Sequence, residues 1–224
     1  LRDSDAVKAV LHSENGLLSA DLSGKTIIDT TTNEYQAVQS FHEIVTAAGA
    51  NYIEAPVLGS IIPAASGSLA IYVSGPQAIF EAVRPILAKI GSRIEYFEKP
   101  GDATALKLIN NTVMGAFLST LVEALLLGEA LGVDKARMIE LLEKGTGKSG
   151  VLAAKREKLL AEDFTTHFAA ELVHKDLSYT SELARLLERP LMLGDAAKAT
   201  YALAFLQGKA DQDFSVIYDV LKGK

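Results

Sequence analysis

The segment RIEYFEKPGDATALKLINNTVMGAFLSTLVEALLLGEAL, residues 93–131, contains the change from a strand pattern to a long helical pattern. Its first six residues have the pattern of a short strand, and a Pro-Gly turn follows them. From Asp102 to about Leu131 the spacing is helical and almost free of charge, with Asp102 as the expected N-cap. We therefore place a domain boundary in the turn, with one domain over residues 1–99 and a second over residues 100–224.

The first domain alternates between strand-like and helix-like patterns. Short apolar, β-branched runs predict strands at residues 25–31, 51–57, 69–74 and 93–98, and helical spacing lies between them. Alternation of this kind is typical of an α/β fold with a mainly parallel sheet. Residues 1–99 are therefore expected to form an α/β domain.

The second domain has helical patterns only. Further helices are expected after Asp134 and at residues 151–160, 169–187, 194–206 and 214–221. A helix as apolar as the long one that starts at Asp102 must be covered on nearly all sides. We therefore expect an all-α domain whose long helix also enters a subunit interface, in a homodimer or a homotetramer.

The composition argues against several classes of function. Of the 224 residues 49% are apolar and 22% are charged, which favours packed domains over disorder. The net charge of −6, without a basic cluster, argues against nucleic acid and anionic membranes as partners. Cys is absent and the four His lack ligand spacing, so we expect no metal site.

The hydropathy pattern also bears on location. The longest uncharged run of the apolar helix, Leu108–Val122, is shorter than the roughly 20 residues that span a bilayer. No signal or transit segment follows Leu1, and the chain reads as if it begins partway through a domain. We therefore expect a soluble protein in the cytoplasm, with no membrane contact.

Residues 145–150, GTGKSG, have the spacing of a glycine-rich phosphate-binding loop. The context is wrong, because a dinucleotide-binding loop follows a strand and opens a helix, whereas this segment follows the helical pattern MIELLEK. A P-loop would also need Gly at the position of Leu142. We interpret the segment as a flexible connector between two helices.

Lys107 and Asn111 are the polar elements of an apolar stripe near the start of the long helix. Because they are four residues apart, they project from one face of the helix. Desolvation lowers the pKa of a lysine in apolar surroundings and makes it a usable proton donor, while an asparagine can hold the amine or a substrate oxygen. A snorkelling lysine and an asparagine bonded to the backbone stay an open alternative for the same pair.

Four ordered motifs resemble those of the β-hydroxyacid dehydrogenases, the group that includes 3-hydroxyisobutyrate dehydrogenase and the glyoxylate and succinic semialdehyde reductases. They cover essentially the whole chain, and together they are far more specific than any one of them. In chain order they are IDTTT at 28–32, EAPVLGS at 54–60 with Pro63-Ala64 and Gly67-Ser68-Leu69 after it, GDATALKLINN at 101–111, and Phe168 followed by LVHKDL at 172–177.

The resemblance implies a Rossmann-type dinucleotide-binding domain and an all-α domain like the C-terminal domain of 6-phosphogluconate dehydrogenase, with a long interdomain helix. It implies hydride transfer between NAD or NADP and a small β-hydroxy acid or its aldehyde or keto partner. Lys107 then matches the family's general acid and base, which protonates the carbonyl oxygen or takes the hydroxyl proton, in a cleft between the domains.

The resemblance also carries over a set of binding residues. Asn111 matches the asparagine that positions the substrate, and Gly59 and Ser60 lie in the loop whose N–H groups and hydroxyls bind the substrate carboxylate. Thr32 matches the residue at the strand end that meets the cofactor. Lys175 matches a second lysine that reaches the cofactor from the helical domain.

Two positions bear on substrate specificity, and a third has alternative roles. Leu58 stands where the family usually has Ser, so an apolar contact replaces a hydroxyl and the expected substrate is bulkier or less polar than a simple hydroxy acid. Ser60 in place of Gly leans towards the glyoxylate and semialdehyde reductase branch. Asp176 accompanies Lys175 in its motif, and an ion-pair or helix-surface role is an equal alternative for it.

The family's opening strand and G-x-G-x-x-G turn have no counterpart here, and Leu1-Arg-Asp-Ser4 resembles the end of the family's fourth strand. We therefore expect an incomplete dinucleotide-binding domain that lacks about 60 to 70 residues. Such a polypeptide is expected neither to bind the cofactor normally nor to turn over by itself. The residue that selects the cofactor falls in the absent part, and NADP is slightly favoured over NAD.

Two alternatives remain. A non-catalytic member of the same fold would bind a cofactor or partners and assemble through its helical half, although the presence of both Lys107 and Lys175 argues against it. An imine reductase has the same fold, but such enzymes usually lack a lysine at this position. The sequence itself names neither the substrate nor the direction of the reaction.

Overall fold

The structure, a computed structural model, describes residues 1–223. These residues form two compact units, one over Leu1–Ile109 and one from Asn110 onward. The 29-residue helix α5, Asp102–Ala130, belongs to both units. The first unit is α/β and the second is helical, so the predicted fold class is confirmed.

The first unit alternates strands with helices over most of its length. Its elements are α1 (Ser4–His12), β1 (Thr26–Asp29), α2 (Tyr35–Ala47), β2 (Asn51–Glu54), β3 (Val57–Leu58), α3 (Ile61–Ala65), β4 (Leu69–Ser74), α4 (Gln77–Leu87), β5 (Gly91–Phe97) and the first two turns of α5.

The sheet of the first unit is mainly parallel, as expected, but it also contains antiparallel pairs. β1 pairs with β2 and β4 pairs with β5 in parallel, whereas β2 and β3 both pair with β4 in antiparallel fashion. The strand predicted at 51–57 breaks at Ala55-Pro56, because proline has no N–H for a ladder hydrogen bond. The connection from Leu58 to Leu69 contains only the short helix α3, and such a short link suits antiparallel neighbours.

Two apolar clusters cover the faces of this sheet. Tyr52 and Ile53 are adjacent in β2 and therefore point to opposite faces. Tyr52 joins the cluster formed by α1 and α2, and Ile53 joins the cluster formed by β4 and α4. Burial of each such large side chain contributes about 1.5–3 kcal/mol, which holds the strands in register.

The second unit is built from helices packed on α5. They are α6 (Lys135–Lys144), α7 (Gly150–Ala161), α8 (Ala170–Leu186), α9 (Met192–Leu206) and α10 (Ile217–Lys222). Asp134 caps α6 as expected, because its side chain accepts from Arg137 N at 3.1 Å. The structure adds a second cap at α7, where the Ser149 hydroxyl accepts from Leu152 N at 3.2 Å. A single apolar cluster from α5 to α10 forms the core.

Helix α5 exposes an apolar stripe at helical spacing. Leu106, Ile109, Val113, Phe117 and Leu127 are between 37% and 68% exposed. By length and composition alone α5 also meets the criterion for a membrane-spanning helix. The short uncharged run Leu108–Val122 had predicted that it would not. A single such helix is weak evidence for a membrane, because long core helices meet the same criterion, and 39% of its most apolar window is buried.

Candidate active site

The first turn of α5 is anchored by two strand side chains rather than by its own N-cap. Glu54, the last residue of β2, accepts hydrogen bonds from Gly101 N and Thr104 N, and the hydroxyl of Ser74 in β4 accepts from Ala103 N at 2.9 Å. Asp102 is the first helical residue, so its prediction as the N-cap is wrong. Three N–H donors at this helix end thus bind strand side chains, and the fourth, Asp102 N, donates to Lys99 O in the turn.

Lys107 lies one turn beyond this anchor and is buried, with 6% of its surface exposed. Its ammonium donates a hydrogen bond to the carbonyl oxygen of Val57 in β3 at 2.7 Å. An ammonium has three N–H donors, so one bond to a fixed carbonyl sets the direction of the group. The candidate proton donor is thus held beside the loop that follows β3.

That loop contains three of the predicted binding residues, Leu58, Gly59 and Ser60. Gly59 has φ +122°, and a Cβ at this position would lie 2.9 Å from Leu69 Cδ2, so only glycine fits. Leu58 and Ser60 are partly buried. Within residues 1–223 the N–H groups of Gly59 and Ser60 and the Ser60 hydroxyl make no hydrogen bond. The loop therefore presents a group of donors close to Lys107.

Thr32 follows the carboxyl end of β1 and is partly buried. A buried network around Asp29 fixes this strand end. Asp29 accepts from Thr31 N at 2.9 Å, from Asn33 Nδ2 at 2.8 Å and from the Tyr52 hydroxyl at 2.6 Å. The position of Thr32 is therefore set by its neighbours on both sides.

In the second unit the structure brings Asn111 to the K-D-L segment of α8. Asn111 is buried, and its amide donates to Asp176 Oδ2 at 2.6 Å. The Lys175 ammonium lies 3.3 Å from Asp176 Oδ1 and 5.3 Å from the centre of the Tyr179 ring. Asp176 is 2% exposed, so the helix-surface alternative for it is wrong and the ion-pair alternative is confirmed.

Sequence reasoning missed two residues of this arrangement. The sequence gives Glu54 no role beyond its place at the start of a motif, and it leaves Asp176 open between a role with Lys175 in its motif and an ion-pair or helix-surface role. Both are buried acids next to predicted site residues, and their place inside the quoted motifs is the signal that could have found them. Their partners are 47 to 65 positions away in the chain, which no local pattern reveals.

The GTGKSG segment joins α6 to α7, as a connector should. It lines a mainly apolar pocket of about 390 Å³ together with residues of α5 and α9, among them Phe117, Leu121 and Leu193. The segment follows no strand, so it lacks the setting of a dinucleotide-binding loop.

Comparison with protein families matches both parts of the chain. Residues 1–98 match the family described as the NAD binding domain of 6-phosphogluconate dehydrogenase. Residues 101–221, more than half of the chain, match the family described as NAD-binding of NADP-dependent 3-hydroxyisobutyrate dehydrogenase. These descriptions assign a nicotinamide dinucleotide cofactor to the family.

Two curated relatives align over nearly the whole chain. A 2-(hydroxymethyl)glutarate dehydrogenase from Eubacterium barkeri is 31% identical over 98% of this chain and 73% of its own length. A 2-hydroxy-3-oxopropionate reductase from Escherichia coli is 30% identical over 98% of this chain and 75% of its own length. Both names describe oxidation or reduction of small hydroxy acids or their carbonyl partners.

Among solved structures, a crystal structure of 3-hydroxyisobutyrate dehydrogenase from Salmonella typhimurium superposes with a TM-score of 0.89. It is 24% identical, and the match covers 98% of this chain and 77% of that one. This likeness supports the fold, while the family matches and the two relatives carry the reaction class. The chain belongs to the β-hydroxyacid dehydrogenase family and is an NAD(P)-dependent oxidoreductase that acts on a small molecule.

Proposed function

We propose that this protein transfers a hydride between NADP or NAD and a small β-hydroxy acid or its aldehyde or keto partner, with Lys107 as general acid and base. The single observation that carries the proposal is the Lys107 ammonium, buried and bonded to Val57 O at 2.7 Å beside the unbonded donors of Gly59 and Ser60. A proton donor next to an anion-binding turn is what reduction of a carboxylated aldehyde requires.

The residues at the end of β1 suit a dinucleotide. Thr31 Oγ1 is buried and has no hydrogen-bond partner within residues 1–223, so it offers a polar atom that a bound nucleotide can satisfy. Thr32 beside it and Lys175 on α8 are the residues we assign to cofactor binding. When bound, the nicotinamide donates or accepts the hydride. NADP is favoured because the family matched by residues 101–221 is described as NADP-dependent.

Lys107 supplies the proton that the reaction needs. In the direction of reduction its ammonium gives a proton to the carbonyl oxygen, so no alkoxide is released. In the direction of oxidation the neutral amine takes the hydroxyl proton. The hydrogen bond to Val57 O uses one N–H and orients the nitrogen, so the ammonium is already positioned for proton transfer when the substrate binds.

Substrate binding is assigned to the loop after β3 and to Asn111. The N–H groups of Gly59 and Ser60 and the Ser60 hydroxyl bind the substrate carboxylate, since an anion needs several converging donors. Asn111 positions the reacting oxygen, and Asp176 holds the Asn111 amide. Leu58 adds an apolar contact, which favours a bulkier or less polar substrate than glyoxylate.

The remaining assignments concern the whole chain. We assign residues 1–99 to the dinucleotide-binding domain, which also supplies the substrate loop at Gly59 and Ser60. We assign residues 100–224 to the helical substrate and assembly domain, which also supplies Lys175 to the cofactor. The apolar stripe of α5 favours a homodimer or homotetramer, because a chain with net charge −6 associates more easily through an uncharged face. We place the enzyme in the cytoplasm as a soluble protein.

The test is an initial-rate assay of the full-length gene product with NADPH and with NADH. Glyoxylate, succinic semialdehyde and methylmalonate semialdehyde are the carbonyl substrates, and a simple ketone without a carboxylate is the control. We expect turnover with at least one of the three acids and faster oxidation of NADPH. Cofactor binding without turnover of any of the acids would contradict the proposal and favour a non-catalytic role.

A further inference from the structure

Glu54, like Asp29, is a buried carboxylate of the first unit that accepts three hydrogen bonds. It is 1% exposed, and its two oxygens accept from Gly101 N, from Thr104 N and from the Thr104 hydroxyl. Ser74 pairs with Glu54 across β2 and β4 and lies beside this carboxylate. Three donors around two oxygens suit an ionised carboxylate, which only accepts, and not the nitrogen of an amide, which would face these donors with N–H groups of its own.

Among residues 1–223 the only basic side chain within 4 Å of the Glu54 carboxylate is that of His42. Burial raises the pKa of Glu54 above its ordinary value, while the hydrogen bonds from Thr104 and Gly101 act against the shift. His42 Nε2 lies 3.9 Å from Glu54 Oε1, and burial lowers the pKa of His42 to about 4, so the imidazole is neutral at pH 7. The negative charge of Glu54 is therefore stabilised by the first turn of α5, which is the positive end of the helix dipole.

The segment from Glu54 to Val57 is fixed on both sides. Ala55 N donates to Asp29 O at 2.7 Å, and Tyr72 N donates to Pro56 O at 3.1 Å. This segment touches α5 at two points, at its first turn through the Glu54 carboxylate and one turn later through Val57 O and the Lys107 ammonium. Because this fixed four-residue segment contacts α5 at two points, it sets the position of α5 along the helix axis and the rotation of α5 about that axis.

We propose that Glu54 is a positioning residue for Lys107, which locks the first turn of α5 to the sheet and so holds the Lys107 ammonium on Val57 O. The inference rests on the proposed function in assigning catalysis to Lys107. Ser74 is the second part of the same device, because its hydroxyl accepts from Ala103 N and it pairs directly with Glu54 across β2 and β4.

Asp102 provides a matched comparison at the same helix end. It is an acid in the first turn of α5, yet within residues 1–223 its carboxylate accepts no hydrogen bond. If only negative charge near the helix dipole mattered, Asp102 and Glu54 would be equivalent. If the fixed geometry matters, only Glu54 affects Lys107.

The experiment compares Glu54→Gln, Ser74→Ala and Asp102→Asn in the full-length protein. The first readout needs no turnover: the rate of acetylation of Lys107 by acetic anhydride, followed by peptide mass spectrometry and divided by the rate at the exposed Lys89. We expect this ratio to rise about threefold or more in Glu54→Gln, because the ammonium leaves Val57 O more often. We expect a smaller rise in Ser74→Ala and no change in Asp102→Asn.

The second readout is the split between kcat and KM. We expect kcat to fall about tenfold or more in Glu54→Gln with the KM for the dinucleotide within about twofold, because a small misplacement of a proton donor slows the chemical step. Ser74→Ala is the milder variant if Glu54→Gln does not fold. An unchanged labelling ratio and unchanged kcat in folded Glu54→Gln or Ser74→Ala would overturn the proposal. A wild-type protein without turnover would overturn the proposed reaction instead, and the labelling ratio would then decide the positioning alone.

Discussion

The side chains of Lys107 and Asn111 each donate a hydrogen bond to a residue that is distant in the sequence. Lys107 is bonded to Val57 O, and Asn111 to Asp176. The residue types and the four-residue spacing were readable in the sequence, because one helix contributes both. The partners were not, since tertiary packing brings them together. A buried polar group without such a partner would cost about 1–3 kcal/mol, so the partners explain why these side chains can be buried at all.

Asp176 gives a test of substrate positioning. Asp176→Leu removes the acceptor of the Asn111 amide and leaves that amide unpaired in a buried place. We expect the KM for the carbonyl substrate to rise about tenfold or more, whereas Asp176→Asn, which can still accept from Asn111, changes it less. Initial-rate kinetics with varied substrate measure both. Equal KM values for Asp176→Leu and the wild type would remove Asp176 from the site.

His42 gives a test of pH dependence. Burial lowers its pKa to about 4, against an ordinary value of 6.5, so the unfolded chain takes up this proton first as the pH falls. The free energy of unfolding should therefore decrease between pH 6.5 and about 4, by at most about 1.4 kcal/mol per pH unit. His42→Phe keeps an aromatic ring against Tyr52 and should lose this part of the dependence.

The matched control for His42 is His12→Gln at an exposed position of α1. Urea titrations at several pH values give the free energy of unfolding for all three proteins. The His12 variant should follow the wild type over the whole range. Parallel curves for His42→Phe and the wild type would show that His42 is not held neutral by the fold.

Among the elements, the helices and the parallel part of the sheet were predicted, whereas the antiparallel pairs were not. Long apolar periodicity with caps such as Asp134 fixes helix limits locally. Whether a short strand pairs in parallel or antiparallel fashion depends on the loop that leads to it and on the sheet edge at which it pairs, and a local strand pattern shows neither. The break at Ala55-Pro56 and the antiparallel β3 follow from proline chemistry that a strand pattern hides. The N-terminal anchor of α5 was missed for a similar reason, since Glu54 and Ser74 come from two strands far along the chain.

The start of α8 depends on a buried ion pair. Asp213 accepts from the Lys155 ammonium at 2.8 Å and from His167 N and Phe168 N at 3.1 and 3.2 Å. Burial would raise the pKa of Asp213, but Lys155 and Ser215 outweigh it and the pKa is lowered. Its contribution to stability is present above the unfolded-state pKa and is lost as the pH falls through the folded-state value.

Asp213→Asn should therefore destabilise the protein strongly, by about 3–5 kcal/mol, because Lys155 then keeps an uncompensated buried charge. Glu140→Gln is the control, since its ion pair with Arg137 is exposed and should matter little. Urea unfolding measures both variants. A similarly small change in Asp213→Asn would mean that the pair does not hold the start of α8.

At the level of the whole molecule, the exposed apolar stripe of α5 has no cover within residues 1–223. The length and apolar character of this helix were readable from the sequence, but which side faces the core was not. The structure exposes Val113, Phe117 and Leu127, which agrees with the proposed assembly of copies through the helical half.

Phe117→Asp should therefore weaken assembly. Sedimentation velocity of the full-length protein is expected to give a dimer or tetramer, and the variant should shift to the monomer because a charge in an apolar interface is costly. Val10→Asp makes the same kind of change at an exposed position of α1 and should leave the assembly intact. A wild-type monomer at all concentrations would contradict the proposed assembly.

The role of Lys107 is tested by Lys107→Ala in the full-length enzyme, assayed with the best aldehyde and cofactor. Turnover should fall about a hundredfold or more while the Kd of the dinucleotide stays nearly unchanged, as loss of a general acid requires. Added methylamine should restore part of the rate, and Lys89→Ala at an exposed site should behave as the wild type. Wild-type turnover in Lys107→Ala would show that another group moves the proton.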